Sequence, residues 1–248
     1  MAGVAIVTGG SRGIGAAVCR LAAEAGYDVC VNYQNDRDAA LQAVEDIEAK
    51  GGKAIVYPCD VSKESDVQSM FREVDNELGT VTALVNNAGV VLPISRVDEM
   101  TSERLAKILG INITGSFLCA REAILRMSTK HGGKGGVIVN MSSAAARLGS
   151  PNEFVDYAAT KGAIDTFTLG LSKEVGPEGI RVNAIRPGLI DTEIHASAGA
   201  ADRVEKFKDG VPMRRSGSAE EVAQATVWLM SEEASYVTGA LLDVAGGR

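Results

Sequence analysis

Short apolar runs recur along this chain, each followed by a turn and a longer segment with helical spacing. Val4–Val7, Tyr27–Val31, Ala54–Tyr57, Val81–Val85, Val137–Asn140, Arg181–Ile185 and Leu241–Val244 are the strand-like runs. Most are continuously apolar rather than alternating, the pattern of strands buried on both faces. Between them the spacing predicts helices over Ala16–Ala25, closed by Gly26, and over Asp38–Lys50, closed by Gly51-Gly52. Further helices follow from Ser62, as N-cap, to about Leu78, from Thr101 to about Met127, and over Phe154–Val175. A last helix opens on the capping box Ser218-x-x-Glu221 and runs to about Met230.

Strand and helix thus alternate through residues 1–248 with no linker and no internal repeat. The expected class is α/β: one Rossmann-type doubly wound parallel sheet of seven strands with helices on both faces. Two stretches depart from the periodicity. Gly110 and Gly115 interrupt a helix around Asn112, and asparagine is a poor helix former that often marks a functional irregularity. Residues 189–216 mix Gly, Ala, His and charges, as a substrate lid or binding loop would.

The chain has 248 residues, a net charge of −7 and a pI near 5.0. That balance argues against a nucleic-acid partner, which requires a basic face. No run approaches the roughly 18 apolar residues of a membrane span, so no membrane partner is expected. Cys19, Cys30, Cys59 and Cys119 are widely spaced and only two histidines occur, so no metal site is expected. Reduced, buried thiols in a cytoplasmic protein are the expectation.

Chemistry concentrates at strand ends. Thr8–Gly15 follows the first strand and precedes a helix; its glycines, Gly9, Gly13 and Gly15 among them, allow a tight turn and close approach of a ligand. The helix N-terminus then offers N–H groups to a pyrophosphate. No carboxylate ends the second strand, at Asn32-Tyr33-Gln34-Asn35, where NAD-binding units place one on the ribose 2′-hydroxyl. Arg12 supplies a charge for a 2′-phosphate, so NADP(H) is favoured over NAD(H). Asn86–Gly89 ends the fourth strand, where open α/β sheets bind ligands. Ser142 and Ser143 end the fifth, and Tyr157 and Lys161, four apart, share a helix face just beyond. Phenol, ammonium and hydroxyl together can give or take a proton at an alcohol or carbonyl oxygen.

Taken together, these residues resemble the short-chain dehydrogenase/reductase family over essentially the whole chain. The resemblance rests on Thr8–Gly15, Asp60-Val61, Asn86–Gly89, Asn112, Ser143, Tyr157-x-x-x-Lys161 and Pro187-Gly188, in the family's order. It implies that Tyr157 is the general acid/base, that Ser143 hydrogen-bonds the substrate oxygen, and that Lys161 holds the nicotinamide ribose. Asn112 would hold a water of a proton relay. The cofactor would lie against Gly9, Ser11, Arg12, Gly13, Ile14 and Gly15 and the strand end Asn32, Tyr33 and Gln34. Asp60 and Val61 would contact adenine, and Asn87, Ala88 and Gly89 would flank the nicotinamide ribose. Pro187, Gly188, Ile190 and Thr192 would meet the carboxamide side. An ammonium beside Tyr157, with the positive charge of oxidised nicotinamide, should lower the phenol pKa.

The expected activity is interconversion of a secondary alcohol and a ketone on a small molecule. A 3-oxoacyl thioester is the first substrate candidate and a sugar or polyol the second. A nucleotide sensor without turnover would need none of Ser143, Tyr157, Lys161 and Asn112. Arg147, Glu153, Phe154 and His195 are candidate pocket residues. Apolar Ala158, Ala159, Ala163, Phe167 and Leu171 on the helix after Phe154, with the family's habit, predict a homotetramer.

Overall fold

The computed structural model describes residues 3–192 and 203–248. Its strands are β1 (Gly3–Val7), β2 (Tyr27–Tyr33), β3 (Ala54–Pro58), β4 (Val81–Asn86), β5 (Gly136–Met141), β6 (Ile180–Pro187) and β7 (Leu241–Val244). They form one sheet in the order β3-β2-β1-β4-β5-β6-β7, every neighbouring pair parallel. Strand order reverses between β1 and β4, which opens a crevice at the carboxyl ends of those strands.

The intervening helices are α1 (Gly13–Glu24), α2 (Arg37–Glu48), α3 (Glu64–Glu77), α4 (Ser102–Leu109), α5 (Gly115–Met127), α6 (Ala145–Leu148), α7 (Val155–Val175), α8 (Arg203–Phe207) and α9 (Ala219–Met230). Alternation inside the apolar runs divides the core. Ala5 and Val7 of β1 pack with Ala17, Val18 and Ala22 of α1 and with Val222 and Leu229 of α9. Val4 and Ile6 face the other way, onto Val67 and Phe71 of α3 and Cys119 and Ala123 of α5. Each large side chain buried this way contributes about 1.5–3 kcal/mol.

Several local expectations hold. Thr101 Oγ1 accepts the Arg104 N–H at 3.2 Å, capping α4. Ser218 and Glu221 exchange reciprocal bonds of 3.2 and 2.9 Å at the start of α9. A π-helical turn, Gly110–Thr114, joins α4 to α5 at Asn112. All four cysteines are free and buried, and burial raises every thiol pKa, so they are poor nucleophiles.

Others are corrected. Ser62 does not cap α3; its hydroxyl donates to Asp60 at 2.7 Å. The N-cap is Lys63, and Glu64 and Asp66 complement the helix dipole instead. Helix α1 begins inside the glycine turn, at Gly13, because Arg12 is extended and serves as its N-cap. The short α6 has no counterpart among the expected helices. Ser102–Met127, continuous through the π turn, is long and apolar enough to cross a membrane by length and composition. Its apolar face packs into the core instead, and it carries buried Asn112, Ser116 and Glu122. Within 189–216, Ile190 bridges to Gly217, whereas His195 lies outside the described residues.

Candidate active site

The glycine turn is held by side chains of its neighbours. Asn32, buried at the end of β2, accepts the Gly9 N–H at 3.0 Å. Its amide donates to the carbonyls of Tyr33, Tyr57 and Cys59. Asn87 donates to the carbonyls of Thr8 and Gly9, both at 2.9 Å. Thr8 Oγ1 accepts the N–H groups of Asn87 and Ala88 at 3.0 Å each. These side chains are occupied in fixing the turn. Gly9 and Gly13 have φ of +62° and +54°, which disfavour any side chain. A Cβ on Gly15 would stand 2.1 Å from the Gly9 carbonyl.

In front lies a cleft of about 300 Å³. Gly9, Ser11, Arg12, Gly13, Ile14 and Gly15 form one side, and Asn32, Tyr33 and Gln34 another. Asp60, Val61, Asn87, Ala88, Gly89 and Thr192 complete the predicted set. Asp36 also lines it, a carboxylate just past the strand end where the sequence suggested none. Its side chain caps α2, accepting the Ala39 N–H at 3.1 Å.

A second cleft, of about 510 Å³, shares Ile14, Asn87, Gly89, Val91 and Thr192 with the first. Ser143, Tyr157 and Lys161 line it, as do Pro187, Gly188 and Ile190. Of the expected pocket residues, Glu153 and Phe154 line it too, while Arg147 lies outside. Helix α7 delivers Tyr157 and Lys161 on one face, the ammonium 5.5 Å from the phenol ring centre. Ser143 follows β5, its Oγ accepting the Ala145 N–H at 3.1 Å, near enough to Tyr157 to oppose the rise in the phenol pKa.

Asn112 lines neither cleft. It is buried, bonded to Val90 N and O at 2.8 and 3.0 Å and to Thr160 at 3.1 Å. A Cβ on Gly89 would meet both Lys161 Nζ, at 3.5 Å, and Asn112 Oδ1, at 3.6 Å. Glycine there leaves the ammonium reachable from the shared part of the two clefts. Open glycine backbone, a helix N-terminus and this ammonium in continuous clefts fit an extended dinucleotide such as NADP(H).

The electrostatics differ from the simple expectation. Burial raises the Tyr157 pKa above its ordinary 10, opposed by the Ser143 hydrogen bond. Removing the phenolate from water outweighs that hydrogen bond. Lys161 is 4 % exposed, and burial lowers it from 10.5 to about 8, with Asp165 opposing. Its Nζ donates to the Met141 carbonyl at 2.7 Å.

Three contributors escape a reading of the sequence alone. Thr8 fixes the turn; Asp165 sits buried one turn beyond Lys161. Arg104 clamps the start of α7, donating to Asp156 and to the Pro93 carbonyl at 2.8 Å each. Asp156 in turn accepts the Tyr157 N–H at 2.9 Å. Only spacing along α7 hints at Asp165; the other two act across elements.

Known proteins resemble this chain along nearly its whole length. The family model described as "Enoyl-(Acyl carrier protein) reductase" matches residues 9–248. Uncharacterized oxidoreductase YgfF of Escherichia coli (strain K12) is 55% identical over 245 residues, covering 99% of each chain. Glucose 1-dehydrogenase 2 of Bacillus subtilis (strain 168) is 40% identical, covering 98% of this chain and 93% of its own. A solved structure of a doubly substituted Serratia marcescens short-chain dehydrogenase/reductase superposes with a TM-score of 0.90 at 32% identity, over 98% of this chain and 96% of that one. With the sheet order and the Ser143–Tyr157–Lys161 edge already in place, these matches settle the family: the chain is an oxidoreductase acting between CH–OH and C=O that belongs to the short-chain dehydrogenase/reductase family.

Proposed function

We propose that this protein is an NADP(H)-dependent oxidoreductase interconverting a secondary alcohol and a ketone. The observation that carries the reading is the meeting of Ser143, Tyr157 and Lys161 on one wall of a cleft continuous with the glycine cradle. A bound nicotinamide supplies or accepts the hydride. Ser143 orients the substrate oxygen by a hydrogen bond and polarises its carbonyl. Tyr157, whose pKa burial raises, gives its proton to that oxygen during reduction and is left as the phenolate; oxidation starts from that phenolate, which takes the alcohol proton. Lys161 holds the cofactor ribose and supplies positive charge beside the phenol. Asn112 steadies the backbone at Val90 and holds a relay water behind Lys161.

The dinucleotide lies along Gly9–Gly15, with the adenine end at Asp60 and Val61 and the carboxamide at Pro187, Gly188, Ile190 and Thr192. Arg12, exposed at the N-cap of α1, receives the 2′-phosphate and sets the preference for NADP(H). Asp36 is occupied in capping α2, which limits its claim on a 2′-hydroxyl. The substrate end is walled by Val91, Leu148, Pro151 and Phe154, which suits the acyl chain of a 3-oxoacyl thioester. Ser150 and Glu153 on the same wall, and the glucose dehydrogenase relative, favour a sugar or polyol as the second reading. One catalytic domain spans residues 1–248; the expected substrate lid, residues 189–216, lies partly outside the described residues.

The assembly is a homotetramer in the cytoplasm. Phe117, 49% exposed, stacks on the half-buried Phe167 of α7 with ring centres 3.9 Å apart, and an exposed aromatic ring at the seam of two long helices suits a helix-to-helix subunit contact. Light scattering at micromolar concentration should give four chains per particle, and a monomer would refute it. The activity is tested by following NADPH and NADH consumption across 3-oxoacyl thioesters, oxidised sugars and simple ketones. Turnover with one ketone class, faster with NADPH, is the expected result; no turnover with any class would overturn the reading.

A further inference from the structure

Lys161 poses a problem of charge. An ammonium taken out of water must find compensating charge or lose its proton, and its hydrogen bond to the Met141 carbonyl supplies only a dipole. One helical turn further along α7, Asp165 is 8% exposed, and residues four apart share a helix face. Its carboxylate is fixed from two strands. Ser142, after β5, donates to Oδ1 at 2.6 Å, the same hydroxyl lying 3.1 Å from the Lys161 carbonyl. Arg186 of β6 closes on Oδ2 through Nε at 3.0 Å and Nη2 at 2.7 Å.

A buried carboxylate and guanidinium are weak devices for stability alone, since well-packed apolar residues often do as well. Their position next to Lys161 gives them a use. Resting on the reading of Lys161 as the ribose-holding ammonium, we infer that Asp165, held by Ser142 and Arg186, is the counter-charge that keeps Lys161 protonated, and so is a positioning residue for the reaction. The charged or titratable groups around the ammonium are Tyr157 and Asp165 on α7 and, through Asp165, Arg186 on β6, which Asp243 of β7 approaches to 3.9 Å. Asn112 from the π turn and Ser142 from β5 are neutral. Arg186 partly offsets the carboxylate, so the two partners act on Lys161 with opposite sign. Losing Asp165 lowers the pH at which Lys161 gives up its proton; losing Arg186 raises it. A mere packing defect would not separate the two variants by sign.

The test is an NMR pH titration of cofactor-free protein carrying 13C at the lysine ε carbons, the Lys161 signal identified by its loss in Lys161→Met. Wild type should titrate near 8, where burial holds it. Asp165→Asn should move the midpoint down by about one unit, Arg186→Met should move it up, and Asp165→Glu should restore it close to wild type. With an accepted ketone, Asp165→Asn should lose about twofold in turnover at pH 7 and about fivefold at pH 8, and regain it as the pH falls. An unmoved midpoint in Asp165→Asn, or a shift of both variants in one direction, overturns the inference. Should Asp165→Asn fail to fold, Arg186→Met decides alone, an upward shift supporting the inference and any other result contradicting it. If the midpoints move as expected but no ketone is turned over, the counter-charge stands and the proposed activity falls. If a ketone is turned over but the midpoints stay fixed, the activity stands and the counter-charge falls.

Discussion

The two ends of the continuous cleft are made of different material. Around β1 and α1 the surface presented to a ligand is largely backbone, and Thr8, Asn32 and Asn87 are spent on holding it. Along β5 and α7 the surface is side chain, and Lys161 and Asp165 are buried with their charges. The first end is preformed, suited to gripping an anionic ligand by dipoles and by the Arg12 guanidinium. The second stores free energy: a buried ammonium lowers stability and is retained for its chemistry. Binding and reaction therefore respond to different substitutions.

Lys161→Met should separate them most strongly. Turnover should fall by at least about 100-fold, whereas stability should rise. Burial lowers the folded pKa of Lys161 from 10.5 to about 8. Between those values the unfolded chain binds more protons than the native one, so native stability rises with pH across that window. Below it the cost is fully present, on the order of 3 kcal/mol. Urea unfolding at neutral pH should find Lys161→Met the more stable protein, with the advantage shrinking toward pH 10.5.

Gly15→Ala attacks the other end. The new methyl would stand 2.1 Å from the Gly9 carbonyl and should cost about 2 kcal/mol in stability, with weakened NADPH binding seen by fluorescence titration. Arg12→Ala should leave stability unchanged and raise the NADPH Kd about tenfold with little effect on NADH. Equal affinities in wild type, unaltered by that change, would remove the 2′-phosphate argument. Ser218→Ala touches neither end: losing the α9 cap should lower Tm by about 2–4 °C and leave kcat alone.

The same contrast explains what is legible in the sequence. Buried parallel strands appear as apolar runs whatever their partners, so strand and helix alternation can be read directly, and the sheet order agrees with it. The glycine turn and the Tyr157-Lys161 pair are local in sequence and equally visible. The start of α1 is placed too late by pattern because Gly13 and Gly15 look like breakers, although they form the first helical turn behind the extended Arg12. Ser62 matches an N-cap by type, yet its hydroxyl bonds Asp60, a competition that composition does not reveal. Asp165 shows in the sequence only by its spacing from Lys161, because its meaning depends on Ser142 and Arg186, brought to it from β5 and β6. The direction of the Tyr157 shift is hidden for a related reason: charge pairs can be guessed from spacing, but burial cannot.

Tyr157→Phe is the most direct test of the division between the two ends. It removes one hydroxyl from the chemical end and leaves the glycine cradle untouched. NADPH affinity and ketone turnover should be measured on the same preparation. The division predicts an NADPH Kd within about threefold of wild type and turnover lower by about 1000-fold. Turnover equal to wild type, or a loss of NADPH binding in proportion to the loss of turnover, would contradict it.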